Sequence, residues 1–340
     1  MGRTIVPRIQ KSLTEKRQNL EQWLETSPVE EKETCLGYAL EQEVHTHLDV
    51  IGNTMQKTEL DTFGVCEVCQ GSVESSVLEV DYTAAICLSC LSDDERHQLE
   101  TELELSQTVQ RALMPQESPA IPGMEVAAFS RPTQIVSGDY FDFIPLDDGS
   151  YGVTIADATG HGIAASMFIA SLQATLHTLL PESQSPAVVL ERINRFYLHN
   201  INYTTFVTVF LGIFNPRTRM LIYFNAGHHP PALVRQGSNE VNWLPPNGAA
   251  IGIIEDYRIE PSQVHLGPGD ALVLYTDGIT EAINAQRKEF GHERLGELVL
   301  KHANLPAGEI ISMLRQELAE YTDSLPPVDD ITMVVCKVTD

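Results

Sequence analysis

No apolar run in the chain approaches the ~18 residues that a membrane span needs. The opening stretch, MGRTIVPRIQKSLTEK, has no apolar core of a secretory signal. Both absences predict a cytoplasmic protein without a membrane partner. Positive charge is scarce: 22 Lys and Arg stand against 47 Asp and Glu, a formal net charge of −25. The deficit is shared, with 9 basic against 21 acidic residues in 1–115 and 13 against 26 in 116–340. Neither part offers the basic surface that a nucleic-acid backbone requires, so direct nucleic-acid binding is not expected. The phosphate-cradling pattern G-x-x-x-x-G-K-[ST] is also missing, which argues against a P-loop NTPase. What remains, 340 residues with 43% hydrophobic and 20% charged content, is a soluble globular composition long enough for two cores.

Cysteine is sparse, yet four of the six form a pattern, CEVC at Cys66 and Cys69 and CLSC at Cys87 and Cys90. The spacing C-x2-C-x17-C-x2-C lets two pairs of thiolates close a tetrahedron on one ion. Disulfides are the alternative, but they need an oxidising compartment. A four-sulfur zinc site keeps no open position, so one structural Zn²⁺ and no zinc chemistry is expected. Cys35 and Cys336 stand alone and read as core residues.

Residues 7–26 and about 29–58 read as two helices broken by TSP. The segment LEQEVHTHLDVIGNTMQKTELDTFGVCEVC resembles the C-terminal zinc-finger region of the DksA/TraR family, over about residues 35–92 and most specifically at the cysteines. In that family a helix enters a four-cysteine finger through a phrase like FGVCEVC. Its members also insert a long helical hairpin into the secondary channel of RNA polymerase. The two helices here are too short for that hairpin, so the resemblance implies a helical zinc-finger module over 1–92 and not the polymerase role.

The segment DDERHQLETELELSQTVQRALMP predicts a polar linker helix over 93–115. Leu99, Leu103, Leu105, Val109, Ala112 and Leu113 fall at spacings of three and four and give one apolar stripe. The stripe suits packing on a neighbouring domain or a short coiled coil between two copies of the chain; its few heptads favour packing. Pro115, Pro119 and Pro122 then end the helix.

From Met124 the pattern changes to short β-rich segments: MEVAAFS, YFDFIPL, YGVTIAD, TFVTVFLGIF, RMLIYFNAG, ALVLYTDG and ITMVVCKV. Helices are expected at about 162–180, 186–201, 291–303 and 307–322. Strand runs with helices gathered between them predict two antiparallel sheets covered by helices, an α+β layered domain over 116–340.

Aspartates collect at the margins of those strands. Asp139 and Asp142 sit in SGDYFDF, Asp157 ends GVTIAD, Asp277 ends ALVLYTD, and Asp329 with Asp330 opens DDITMVV. Asp157 alone reads equally well as the cap of the helix that follows. The recurrence of acids without matching basic residues implies divalent cations. All-oxygen ligands favour Mg²⁺ or Mn²⁺ over zinc. Two such ions ~3.5–4 Å apart can acidify a water and clamp a phosphoryl group, with no Ser or Cys nucleophile. A metal-dependent nuclease would use similar carboxylates, but the acidic surface argues against it.

LELSQTVQRALMPQESPAIPGMEVAAFSRPTQIVSGDYFDFI, IADATGHGIAASMFIA, NAGHHPPALV, GPGDALVLYTDGITEA and DDITMVV resemble, in order and spacing, the RsbU/SpoIIE branch of the PPM-type serine/threonine phosphatases. The resemblance spans about residues 103–338. It implies an αββα sandwich, a centre of two Mn²⁺ or Mg²⁺, and hydrolysis of phosphoserine or phosphothreonine on a protein, by family habit a STAS-type anti-sigma factor antagonist. Carried onto this chain, it implies that Asp139 and Asp157 ligate metal, Asp157 bridging both ions, with the Ala158 carbonyl added and Asp277 and Asp329 completing the set. Asp330 is the alternative to Asp329, because the DD pair leaves the register open. Gly160 and Gly162 are expected to let the backbone approach the metals. His161 is a weaker candidate for protonating the leaving oxygen, and Arg131 for binding phosphate. His228 and His229 read as shaping a proline-rich turn. The competing class is a zinc-module binding protein with an inactive phosphatase-like scaffold; retention of all the acidic positions favours the enzyme. The sequence leaves open what signal an unknown regulator brings to residues 1–92 and which phosphoprotein is hydrolysed.

Overall fold

In the computed structural model the described residues are 13–14, 17–18, 40–59, 62–74, 77–78, 84–160, 162–183, 185–200, 206–323, 325 and 327–339. The chain divides into two compact units, Met1–Glu102 and Leu103–Asp340. The expected helix over 7–26 and Cys35 lie almost wholly outside the described residues.

In the first unit, α1 (Leu40–Glu59) overlaps the second expected helix, whose residues 29–39 lie outside the described residues. The segment after it turns back through the bridge Val65↔Ser72, and Leu88–Cys90 form a 3₁₀ turn. Cys66, Val73, Leu78 and Cys87 make a small buried cluster. α2 (Asp93–Leu113) crosses the division between the units. It starts at a capping box: Ser92 N and Oγ both donate to Glu95 Oε2, at 2.9 and 2.7 Å. No side chain of α2 is buried. Leu105 and Val109 are 63% and 52% exposed, while Leu103 and Leu113 are half-buried.

The second unit is a four-layer sandwich. One sheet has the order β1–β10–β9–β6–β7, built from β1 (Met124–Arg131), β6 (Ala232–Val234), β7 (Val241–Trp243), β9 (Ala271–Tyr275) and β10 (Ile331–Val338). The other has the order β2–β3–β4–β5–β8, from β2 (Asp139–Pro145), β3 (Tyr151–Ala158), β4 (Val207–Asn215), β5 (Met220–Ala226) and β8 (Ser262–His265). α3 (Ile163–Leu179) and α4 (Pro186–Asn200) cover the second sheet. After the single turn α5 (Asp277–Thr280), helices α6 (His292–His302) and α7 (Ala307–Tyr321) cover the first sheet.

Period-two alternation builds all three cores. Phe141, Phe143, Val153, Ile155, Phe210, Leu272, Leu274, Val334 and Cys336 fill the space between the sheets. The intervening residues face the helices: Tyr140, Ile144 and Ala156 on one side, Val273, Tyr275, Met333 and Val335 on the other. β6, β7 and β8 were not expected from the sequence, being three or four residues long. Cys336 is a core residue as expected, and burial pushes its thiol up to about 12.

Candidate functional site

Asp139 opens β2 and lies directly opposite Asp157 in the β2–β3 ladder. Both share the strand face of Phe141, Phe143, Val153 and Ile155, which puts them at the rim of the space between the sheets. The other sheet supplies Asp277, which follows β9 at the start of α5, and Asp329–Asp330, which lead into β10. β9 and β10 are paired, with Tyr275 opposite Met333. Gly278 makes the approach of these two segments possible: a methyl group there would collide with the Asp330 carbonyl oxygen. Thr276 joins the two sheets, because its Oγ1 donates to Asp139 Oδ2 at 2.8 Å and accepts from Thr332 N at 3.0 Å.

Asp329 and Asp330 are adjacent but differently engaged. Asp330 is 3% exposed, and its Oδ1 accepts from Thr133 N (2.6 Å) and Thr133 Oγ1 (2.7 Å). Its Oδ2 accepts from Ser137 Oγ and Gly138 N, each at 2.8 Å. Four protein donors thus occupy its carboxylate, whereas Asp329 is exposed and its Oδ1 accepts from Asp330 N at 2.8 Å. Gln110 of α2 grips the same loop: its amide donates to Ser137 O at 2.7 Å and accepts from Ser137 N at 2.9 Å. Ser137 Oγ also accepts from Asp139 N at 3.0 Å, so the grip lies two residues from a site carboxylate.

Burial and mutual repulsion hold Asp139, Asp157 and Glu281 toward their protonated forms. Burial, then the neighbouring Asp157, raises Asp139 well above the usual carboxylate range. Asp157 is pushed up to about 8, first by burial and then by Asp277, Asp329, Asp330 and Glu281. Glu281 is raised by burial and by Asp277, Glu289 and Asp329. Among the described residues no Lys or Arg forms an ion pair with Asp139, Asp157 or Asp277. An uncompensated all-oxygen donor set of this kind fits hard divalent cations. The Ala158 and Gly160 carbonyl oxygens close over Gly138, each 3.2 Å from where a Cβ would stand. Gly160 and Gly162 take φ of +90° and +78°, a backbone that a side chain would strain.

Asp142 is the main correction to the strand-margin reading. It sits inside β2 on the helix-facing side, apart from Asp139, and is 4% exposed. Its Oδ2 accepts from Tyr140 OH at 2.7 Å and lies 2.7 Å from His177 Nε2 on α3, so it ties the helix to the strand. His161 lies outside the described residues. Arg131 is exposed at the end of β1. His228 is buried between Thr208 Oγ1 (2.8 Å) and Tyr275 O (3.1 Å), and burial lowers its pKa to about 3. It is a neutral structural histidine. His229 lies beside Asp277 and His292, a neighbourhood that the turn reading missed. Thr276, Ser137 and Gln110 were also missed, since hydroxyls and amides carry no motif of their own.

In the first unit the Sγ atoms of Cys66, Cys69, Cys87 and Cys90 all lie within 4.8 Å of one another. Among the described residues this is the one group of three or more His, Cys, Asp or Glu side chains so closely gathered; the carboxylate set is more open. None of the four is in a disulfide. Backbone N–H groups of Cys69 and Cys87 lower Cys66 to about 6, while the Cys69 and Cys87 thiols push Cys90 up to about 12. Four sulfurs that cannot all ionise unaided fit a soft cation.

Comparison with known proteins agrees with this geometry. Residues 147–339 match the family model described as Stage II sporulation protein E (SpoIIE). The chain is 30% identical over 245 residues to the phosphoserine phosphatase RsbU of Bacillus subtilis, covering 71% of each chain. It is 28% identical over 245 residues to the phosphoserine phosphatase RsbP of the same organism, covering 70% of this chain and 58% of that one. Among solved structures it resembles the SiaA-PP2C domain of Pseudomonas aeruginosa, with a TM-score of 0.63 at 24% identity over 71% of this chain and 97% of that one. The PP2C phosphatase domain and regulatory-domain fragment of SpoIIE from Bacillus subtilis gives 0.56 at 22% identity, covering 64% and 63%. The fold is therefore that of a PP2C domain, and the chain belongs to the SpoIIE family of protein serine/threonine phosphatases.

Proposed function

We propose that the chain is a Mn²⁺- or Mg²⁺-dependent phosphatase that dephosphorylates serine or threonine on a STAS-type anti-sigma factor antagonist, under control of its N-terminal zinc module. The observation that carries the metal dependence is the pair Asp139–Asp157 held opposite each other and within the electrostatic reach of Asp277 and Asp329, with no Lys or Arg among the described residues pairing Asp139, Asp157 or Asp277. Asp139, Asp157, Asp277, Asp329 and the Ala158 carbonyl would hold two ions. Asp330 is set aside as a ligand because its four acceptor positions are filled. Two divalent cations held there would supply an acidified water and neutralise phosphoryl charge. The chain's own part is to orient the ligands: Thr276 aims Asp139, and Asp330 pins the 133–138 loop beneath it.

Phosphoserine as substrate is supported by the names of the RsbU and RsbP relatives, and the STAS-type protein by the family resemblance. Cys66, Cys69, Cys87 and Cys90 would hold the structural Zn²⁺ of a DksA/TraR-like module over residues 1–92, and α2 would carry its state to the 116–340 domain. The exposed Leu105 and Val109 support pairing of α2 with a second copy. The test is hydrolysis of a phosphoserine protein or peptide by the full chain: turnover should require Mn²⁺ or Mg²⁺ and vanish in Asp157→Asn. Undiminished turnover in excess chelator would reject the proposal.

A further inference from the structure

In-line displacement at phosphorus places the leaving oxygen on the side away from the attacking water, where negative charge develops as the bond breaks. Two hydroxyls at the carboxylates, Thr276 Oγ1 and Ser137 Oγ, are already donated to Asp139 and Asp330. Another donor for the leaving oxygen is then needed, and His229 stands near Asp277, its ring stacked on Tyr275 two residues before that carboxylate.

His229 is half-buried; burial lowers its pKa, and the Asp277 carboxylate nearby pulls the other way. Its ring stacks on Tyr275, with centroids 5.9 Å apart and planes 30° off parallel, and meets His292 at 5.5 Å. Those two supports are themselves fixed. Tyr275 OH bonds His292 Nδ1 at 2.9 Å, and Trp243 meets the His292 ring edge-on at 6.2 Å. The adjacent His228 spends both ring nitrogens on Thr208 and Tyr275 O, but among the described residues nothing hydrogen-bonds the ring of His229. A polar ring is thus held by stacking near Asp277, with its hydrogen-bonding capacity unspent among the described residues. In either tautomer, and in the charged form, an imidazole carries at least one N–H.

We propose that His229 is a catalytic residue that donates an N–H hydrogen bond to the side-chain oxygen leaving phosphorus. This rests on the phosphatase reading above. Water forms one P–O bond while the bond to the side-chain oxygen breaks, and that oxygen departs with the electron pair. Water supplies the oxygen left on phosphate and, through solvent, the proton that ends on the alcohol. His229 lowers the charge on the departing oxygen and is itself unchanged.

His229→Phe keeps the stacking ring and removes the donor. Its kcat/KM should fall on the order of 100-fold for a phosphoserine peptide, whose alkoxide is a poor leaving group. For p-nitrophenyl phosphate the loss should be about tenfold smaller, because that leaving group needs less help. Across a series of aryl phosphates the dependence of rate on leaving-group pKa should steepen. Equal loss on all substrates, or none, would overturn the proposal. So would a fall in Mn²⁺ affinity, measured by calorimetry, by the same factor as turnover, since His229 would then act on the cation site. Should H229F fail to fold, His229→Ala carries the same comparison. Failure of the underlying reading is distinguishable, because the wild-type chain would then show no Mn²⁺-dependent turnover of any substrate.

Discussion

Replacing Asp330 by asparagine separates a structural acid from the neighbour proposed to ligate metal. Each Asp330 oxygen accepts one backbone N–H and one hydroxyl: Thr133 N and Oγ1 on one side, Gly138 N and Ser137 Oγ on the other. Either orientation of an amide therefore points its NH₂ at a backbone N–H that cannot turn away. That orphaned donor costs about 1–3 kcal/mol, and the remaining bonds, no longer charge-assisted, weaken by roughly 1 kcal/mol each. The expected loss is about 3–5 kcal/mol, a fall in Tm on the order of 10 °C for a domain of this size. Asp329→Asn removes an exposed carboxylate from a repulsive cluster and should change metal-free stability by less than about 1 kcal/mol while weakening Mn²⁺ binding. Urea unfolding of the full chain in excess chelator measures both. A stable D330N, or a D329N that unfolds as readily, would refute the assignment of roles.

Two further outcomes follow from the electrostatics. Asp157 is raised from 3.8 to about 8 in the folded chain. The native state therefore binds the extra proton between those values, and metal-free stability should fall as pH rises from about 4 to 8, by up to a few kcal/mol. Mn²⁺ should flatten that slope; thermal unfolding against pH, with and without chelator, checks the sign. Cys66→Ser with Cys69→Ser should release one zinc per chain and unfold the first unit selectively, and metal analysis finding no zinc in wild-type protein purified under reducing conditions would contradict it.

Much of the sandwich was legible because its strands alternate cleanly. β2, β3, β4, β9 and β10 each carry an apolar set for the inner core and another for the helices. β6 and β7, three residues each, are too short for any period to register. The exposed alternation of Ser262–His265 lacks the apolar face that marks a strand. Asp142 looked like its neighbour Asp139, although a spacing of three already put it on the opposite strand face. Its partner His177 comes from a helix 35 residues away, which no local pattern encodes. The Asp329/Asp330 ambiguity was of the same kind: the donors that engage Asp330 lie 192 to 197 residues upstream. The His229 neighbourhood draws on Trp243, Tyr275 and His292, three separate elements joined only by the fold.

The most direct test of the account is the stoichiometry of Mn²⁺ bound by the phosphatase cluster, read by calorimetry on zinc-loaded full-length protein. Two ions per chain should bind to the wild type, neither should bind tightly to Asp157→Asn, and Asp142→Asn should retain both. Full binding by Asp157→Asn would contradict the claim that the facing strand-end carboxylates form the metal centre.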